Sequence, residues 1–300
     1  MVGRLLRQFF MKPIELYHSQ KIEVDEVDTI AIILGPYRNL TTLTAGLLAL
    51  HPNCQVLNHA GMRILQWHNL NFLKNPARDV VERFKKYAVY ISGRGQRGDY
   101  GGSITFSHAF TYPNMSNLYK KRFGDKLVKD NINSILWKES LRIANLIKKN
   151  GIDVSALISR IPELRFLTPV RNPLDCAKSN MKTGKTEIFD ELKEEAQAEQ
   201  TVSAILDEHK WFLDLKEDND EHFFYFMQHD FNQNMLQELA RFLKLSPDEE
   251  WTRDAMDVYD MKSSYEHSDK LIDHYKNEVK IKFKKHPAFA EGLLKFVEEG

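Results

Sequence analysis

Cysteine is scarce in this chain: Cys54 and Cys176 are the only two in 300 residues. They stand far apart and in no metal-ligand spacing, which argues against a disulfide framework and a thiolate zinc site and for a reducing compartment, the cytoplasm. Net charge is missing as well, since 42 Lys+Arg balance 42 Asp+Glu. Nucleic acid is therefore not expected as a partner, because proteins that bind it usually carry a basic excess. Long apolar runs are absent; the longest, Thr29 to Gly35, falls well short of the ~20 residues a membrane span needs, so no integral membrane segment is expected. Arg7 interrupts the N-terminal MVGRLLRQFFMKPIELYHSQ and no small-residue cleavage site follows, so this stretch reads as mature protein. There is no H-E-x-x-H; Asp207-Glu208-His209 and His267-Ser268-Asp269 read as polar helix surface, and no metal is expected.

What is present is 42% hydrophobic residues, enough for a sizeable core. Asp28 to Gly35 is β-branched, uncharged after Asp28 and closed by glycine, the pattern of a parallel strand buried on both faces. Leu43, Leu47, Leu48 and Leu50 then fall at helical spacing, His51-Pro52-Asn53 closes that helix, and Cys54 to Leu57 reads as a second strand. A second unit follows: strand Ile132 to Trp137, helix Ser140 to Lys149, strand Leu164 to Val170 and a helix from Asp175 to Met181. Apolar spacing between Asp190 and Leu215 predicts another helix, His222 to Met227 a last strand, and Met235 to Leu245 a helix. The reading is one three-layer α/β domain with a parallel sheet and helical insertions over residues 1–300. Its tail, 265–300, is helical in pattern, with Lys276, Lys280, Lys282, Lys284 and Lys285 on a solvated face.

Five of the 14 glycines, Gly93, Gly95, Gly98, Gly101 and Gly102, crowd one stretch with Arg94, Arg97, Asp99 and Tyr100 between them. That stretch reads as a functional lid or a plain insertion. It lies inside segment 61–131, whose aromatics (Trp67, Phe84, Tyr87, Tyr90, Tyr100, Phe106, Phe110, Tyr112, Tyr119) are divided between core and the lining of a ligand site.

Gly35-Pro36-Tyr37-Arg38-Asn39-Leu40-Thr41-Thr42 joins the first strand to the first helix, where backbone N–H groups and the helix dipole converge on an anion. The nucleoside-triphosphate form G-x-x-x-x-G-K-[ST] is not met: Leu40 holds the second glycine position and Thr41 the lysine position, which disfavours a kinase. A bland reading of the same residues is a turn with a hydroxyl helix cap. Arg171-Asn172-Pro173-Leu174-Asp175-Cys176-Ala177-Lys178-Ser179 places an arginine at the end of a strand and a serine on the next helix, both at the carboxyl edge of the sheet where such folds bind ligands.

These two segments resemble the cofactor motifs of sulfotransferases that use 3′-phosphoadenosine 5′-phosphosulfate (PAPS). Gly35, Arg38, Thr41, Thr42, Leu43 and the later His51-Pro52 match the family's 5′-phosphosulfate loop, G-x-x-R-S-G-T-T-L with H-P at the helix end; Arg171 to Ser179 matches every fixed position of R-[ND]-P-x-D-x-x-x-S, which binds the 3′-phosphate. Phe226 to Asn232 and Leu239 to Leu245 are similar to the family's later strand and helix. The resemblance implies a P-loop-like sulfotransferase fold, PAPS as co-substrate with the desulfated nucleotide PAP as product, no metal, and a small-molecule, carbohydrate or lipid-type acceptor bearing a hydroxyl or amine. It implies that Gly35, Pro36, Tyr37, Arg38, Asn39, Leu40, Thr41, Thr42, Arg171 and Ser179 hold the nucleotide. Asn39-Leu40 stands where the family has Ser-Gly, and a loop with positive φ there would be strained by leucine.

Sulfuryl transfer needs a cradle for the leaving phosphate, a cation at the bridging oxygen and a base for the acceptor's proton. Arg38 and Lys138, the latter similar to a family lysine that approaches the sulfate, supply the cation. His59, after the second strand, is the first choice for the base, since an imidazole suits proton abstraction near neutrality. His108 and then Glu139 follow. A kinase using ATP and an inactive PAP-binding scaffold of the same fold are the alternatives.

Overall fold

The computed structural model describes residues 13–94, 101–189, 192, 196–259 and 265–298. The centre of the glycine-rich stretch, with Gly95, Arg97, Gly98, Asp99 and Tyr100, and most of the start of the expected helix from Asp190 lie outside the described residues.

Five parallel strands and one short antiparallel edge form a sheet. The strands are β1 (Thr29–Ile33), β2 (Cys54–Asn58), β3 (Gly102–Ser103), β4 (Ser134–Lys138), β5 (Leu164–Val170) and β6 (Phe223–Met227), in the order β3-β2-β4-β1-β5-β6. Only β3 runs antiparallel, pairing Leu57 with Ser103 and Asn58 with Gly102. β1 lies between β4 on one side and β5 on the other, both parallel to it. Strand order changes there, and the crevice at the carboxyl ends of β1 and β5 is where open parallel sheets bind ligands.

Side-chain alternation along β1 explains the three layers. Ile30 and Ile32 point to one face and Ala31 and Ile33 to the other, and all four are fully buried. The first face carries α3 (Arg78–Ser92), α5 (Leu141–Lys149), α6 (Val154–Arg160), α7 (Pro173–Lys182) and α8 (Ala198–Glu217). The second carries α1 (Thr41–Ala49), α4 (Pro113–Phe123), α9 (Gln233–Phe242) and α10 (Glu249–Val258). One turn, α2 (Gly61–Ile64), follows β2, and α11 (Asp269–Lys282) and α12 (Pro287–Glu298) make the tail.

Of the five tail lysines, Lys280, Lys284 and Lys285 are exposed, whereas Lys276 and Lys282 are half-buried, Lys282 in ion pairs with Asp207 and Glu278. On the opposite face Leu271, Tyr275, Val279, Phe283, Phe289 and Leu293 are buried in the first core, so the tail contributes to the sheet's helical layer. Two stretches expected to be polar helix surface are so only in part: Asp207, Ser268 and Asp269 are exposed, but their neighbours turn inward. Glu208 and His209 are buried on α8, where Glu208 pairs with Lys148 and burial drives the His209 imidazole down to about 3, keeping it neutral. His267 is turned inward as well, onto Asp175.

Close approach explains the end of the glycine-rich stretch. Gly101 has φ +65, and a Cβ there would lie 2.3 Å from both Ala60 N and Asn58 O. Backbone cannot yield as a flexible side chain can, so Gly101→Ala is expected to cost about 3 kcal/mol or more, measured by chemical denaturation. A variant within about 0.5 kcal/mol of the parent would show that β3 does not hold this place in solution. The other end of the stretch is pinned at Arg94, whose carbonyl accepts from Ser103 N at 2.7 Å.

His51-Pro52 closes α1 by tertiary bonds. His51 Nδ1 accepts from Asn53 N at 3.1 Å, Nε2 faces Ser246 O at 3.0 Å, and burial lowers the ring to about 4. Lys129 crosses the same turn and donates to Ala49 O, His51 O and Cys54 O, tying the end of α1 to the start of β2.

Candidate functional site

The loop from Gly35 to Leu40 leaves β1 and is fastened to both neighbours of the Arg171 segment. Gly35, at φ +95, lies so close to β5 that a Cβ would stand 2.5 Å from Thr168 Oγ1. Tyr37 O accepts from Asn180 Nδ2 at 2.8 Å and from Cys176 Sγ at 3.1 Å, both on α7. Asn39 is fully buried; its amide donates to Pro169 O while its Oδ1 accepts from Arg171 N at 2.8 Å. The Asn39 side chain thus ties the loop to the end of β5.

Leucine at position 40 does adopt the glycine-like conformation, with φ 61 and ψ 2 as the N-cap of α1. For an L-residue that costs on the order of 1–2 kcal/mol, which burial of its side chain offsets. The expected hydroxyl cap is not what the structure holds: no side chain caps α1, no acidic residue lies in its first turn, and Thr41 and Thr42 are buried beside it. The positive end of the helix dipole is therefore not neutralised by the helix's own residues.

Backbone strain concentrates at this edge of the sheet. Of the six described non-glycine residues with positive φ, five are Arg38, Leu40, His59, Ala60 and Ser140, at the ends of β1, β2 and β4. Such strain persists where surrounding structure imposes it, and it gathers at ligand sites.

The cations meet here. Arg38 Nε donates to Ser179 Oγ at 2.9 Å, joining the two motifs in one bond, and Arg171 Nη1 reaches Arg38 O at 3.4 Å. Lys138 ends β4 and is only 4% exposed. Burial pulls its ammonium down to about 8; the Glu139 charge acts against that, and Arg142 and Arg38 reinforce it.

His59 sits between Lys138 and Glu139. Its backbone N donates to Lys138 O at 2.8 Å and its carbonyl accepts from Trp137 Nε1 at 2.7 Å, which sets the ring at the mouth of the sheet. Nε2 is 3.4 Å from Lys138 Nζ and Nδ1 is 3.7 Å from Glu139 Oε2. An ammonium can only donate, so with Lys138 charged Nε2 must accept and the ring proton rests on Nδ1, facing the carboxylate. Glu139, 1% exposed, is held by Gly61 N at 3.2 Å and lies 3.6 Å from Arg142. A Cβ on Gly61 would stand 3.0 Å from that carboxyl group.

His108, the second candidate base, is exposed on the turn His108–Thr111 after β3. Its neighbour Ala109 is buried near Gly46 of α1. The structure thus brings Gly35, Arg38, Asn39, Leu40, Arg171 and Ser179 together with Lys138, His59 and Glu139 at the carboxyl edge. Asn180 and His267 join them through Tyr37 O and Asp175, and nothing in their sequence spacing marks them. Of the aromatics in 61–131, Phe84, Tyr87, Phe110 and Tyr119 are core, Trp67 and Tyr90 half-buried, and Phe106 and Tyr112 exposed. Among the described residues no group of three or more His, Cys, Asp or Glu is arranged to hold a metal, and no helix is long and apolar enough to cross a membrane.

No protein-family model matches the chain, and no curated protein sequence does. Among solved structures it is similar to the mouse sulfotransferase SULT7A1 complexed with PAP, at 10% identity over 95% of this chain and 94% of that one, with a TM-score of 0.43. It is similar also to the sulfotransferase domain of a Synechococcus olefin synthase, at 16% identity over 81% of each chain and a TM-score of 0.37. A third, the sulfotransferase domain of the curacin biosynthetic pathway, shares 14% identity over 78% of each chain with a TM-score of 0.35.

Proposed function

We propose that the chain is a sulfotransferase that takes its sulfuryl group from PAPS and passes it to a hydroxyl or amine. The observation that carries this reading is the bond between Arg38 Nε and Ser179 Oγ, 2.9 Å, which joins the two nucleotide-binding motifs beside a buried Lys138. Three cations gathered in a neutral chain fit a multiply charged anion. So does Arg171 Nε, a buried donor with no hydrogen-bond partner among the described residues.

When bound, PAPS would supply the sulfuryl group, with the phosphate of PAP as its leaving group. On this reading the backbone of Gly35 to Leu40, with Thr41 and Thr42, binds the 5′ end, and Arg171 and Ser179 bind the 3′-phosphate. Arg38 and Lys138 place positive charge where negative charge grows on the bridging oxygen. His59 Nε2 takes the acceptor's proton, and Glu139 steadies the proton already on Nδ1. The acceptor, a small molecule, carbohydrate or lipid headgroup, enters from segment 61–131, where Phe106, His108 and Tyr112 are exposed. One domain carries both halves, with the cytoplasm as its compartment.

A thermal-shift series with PAP, ATP with Mg²⁺, and ADP tests the donor. PAP at a hundred times its dissociation constant is expected to add about 2.7 kcal/mol to the native state. Stabilisation by ATP with Mg²⁺ and none by PAP would replace this reading with a kinase. PAP binding without release of sulfate from PAPS to any acceptor or to water would leave a nucleotide-binding scaffold.

A further inference from the structure

Arg171 has an acidic neighbour that ought to interfere with it. Asp175, one turn along α7, is 1% exposed, and its Oδ2 lies 3.6 Å from Arg171 Nη2. A buried carboxylate so placed would hold the guanidinium and compete with any anionic ligand for it. The other carboxylate oxygen faces the tail: His267 Nε2 lies 2.8 Å from Asp175 Oδ1, and the His267 side chain is 9% exposed.

The two distances differ in kind. At 2.8 Å the imidazole N–H donates a hydrogen bond, whereas 3.6 Å is an ion pair without one. The guanidinium is correspondingly underused. Its Nη1 reaches Arg38 O at 3.4 Å and its buried Nε has no hydrogen-bond partner among the described residues. A donor left in that state is costly unless a ligand completes it. The chain thus keeps a buried aspartate beside its arginine but turns the strong hydrogen bond of that aspartate toward a histidine from a different part of the sequence.

We propose that His267 is a positioning residue for donor binding: by holding Asp175 Oδ1 it keeps the carboxylate from closing on Arg171 and leaves the guanidinium to a phosphate. This rests on the reading of Arg171 as a holder of the 3′-phosphate. It also gives the tail a part in the site, since His267 immediately precedes Ser268, the N-cap of α11.

The test compares dissociation constants for PAP and for AMP, which lacks the 3′-phosphate, by calorimetry. His267→Ala is expected to weaken PAP about tenfold, within the range for residues coupled through one network, and to leave AMP unchanged. A merely structural role would weaken both nucleotides alike, so an equal loss overturns the proposal, and so does no loss. His267→Phe keeps a ring in place without the donor and carries the comparison should the alanine variant not fold. Asp175→Asn removes the competing charge, so adding the His267 change to it is expected to cost less than about twofold; a full tenfold loss in the double variant also overturns the proposal. A parent protein that binds AMP as tightly as PAP would instead overturn the donor reading, and this proposal with it.

Discussion

Lys138→Ala is expected to lower sulfuryl transfer from PAPS at least about a hundredfold, with PAP binding changed far less. Removing one preorganised group from a developing charge commonly costs about 10²–10³ in turnover, because the group acts in a site that excludes water and needs no reorganisation. Lys138 meets both conditions: it is 4% exposed and ends a central strand. Release of sulfate from PAPS to water provides a measurement independent of the acceptor. The same burial makes the ammonium expensive. Lys138→Met, which is uncharged and close in length, is therefore expected to unfold at an equal or higher temperature while losing the same activity, the trade-off found where strain or buried charge serves function. An active methionine variant would remove Lys138 from the chemistry.

The pH dependence follows from the same residue. Burial, first among the causes, holds its pKa near 8, below the ordinary lysine value. The charged form the transfer needs is present below about pH 8 and is lost as pH rises through it, so the rate is expected to fall on the alkaline side with an apparent pKa near 8. Stability runs the other way. Between about 8 and the ordinary lysine value the unfolded chain binds the proton that the folded one has released, so this residue's contribution to stability rises with pH across that window. Activity and stability diverging between pH 8 and 10 would be the signature of one buried lysine controlling both.

Strands were legible where they are buried on both faces. Thr29 to Ile33 is an uncharged, mostly apolar run closed by Gly35, and Leu164 to Val170, apolar but for Arg165 and Thr168, ends at Arg171; both lie where the pattern puts them. β3 was not legible, since Gly102 and Ser103 carry no periodicity and their pairing is dictated by Asn58 and Leu57 across the sheet. Arg38, Arg171 and Ser179 are expected at the carboxyl edge because a strand-turn-helix fixes their spacing, and the structure brings the three together there. Leu40 takes a left-handed conformation, φ 61, because Asn39 is anchored on Pro169 and Arg171 and leaves the next residue little choice. His209 and His267 defeated sequence reading for a common reason. Each sits in a polar-looking stretch, and only packing decides that the ring turns inward.

His59→Ala is expected to reduce transfer by about 10²–10⁴, the range for a positioned general base, while binding of PAP is retained. The ring's surroundings make the case more firmly than its place after β2. With Lys138 charged, the Nδ1 proton faces Glu139 and the Nε2 lone pair is turned toward Lys138 Nζ at 3.4 Å, at the edge of hydrogen bonding. A weakly held lone pair beside a cation remains available to an acceptor's hydroxyl, and the imidazolium that forms is steadied by the carboxylate 3.7 Å from Nδ1. Glu139→Gln tests that second half. It can still accept from Gly61 N but lacks the charge, so it is expected to cost about tenfold to a hundredfold, with the larger share in kcat rather than KM. Because Glu139 acts through His59, the double variant should be no worse than His59→Ala alone, whereas independent roles would multiply. Full activity in His59→Ala together with a loss in His108→Ala would move the base to the exposed turn after β3, and the strained φ of 58 at His59 would then serve only the close packing of Gly101.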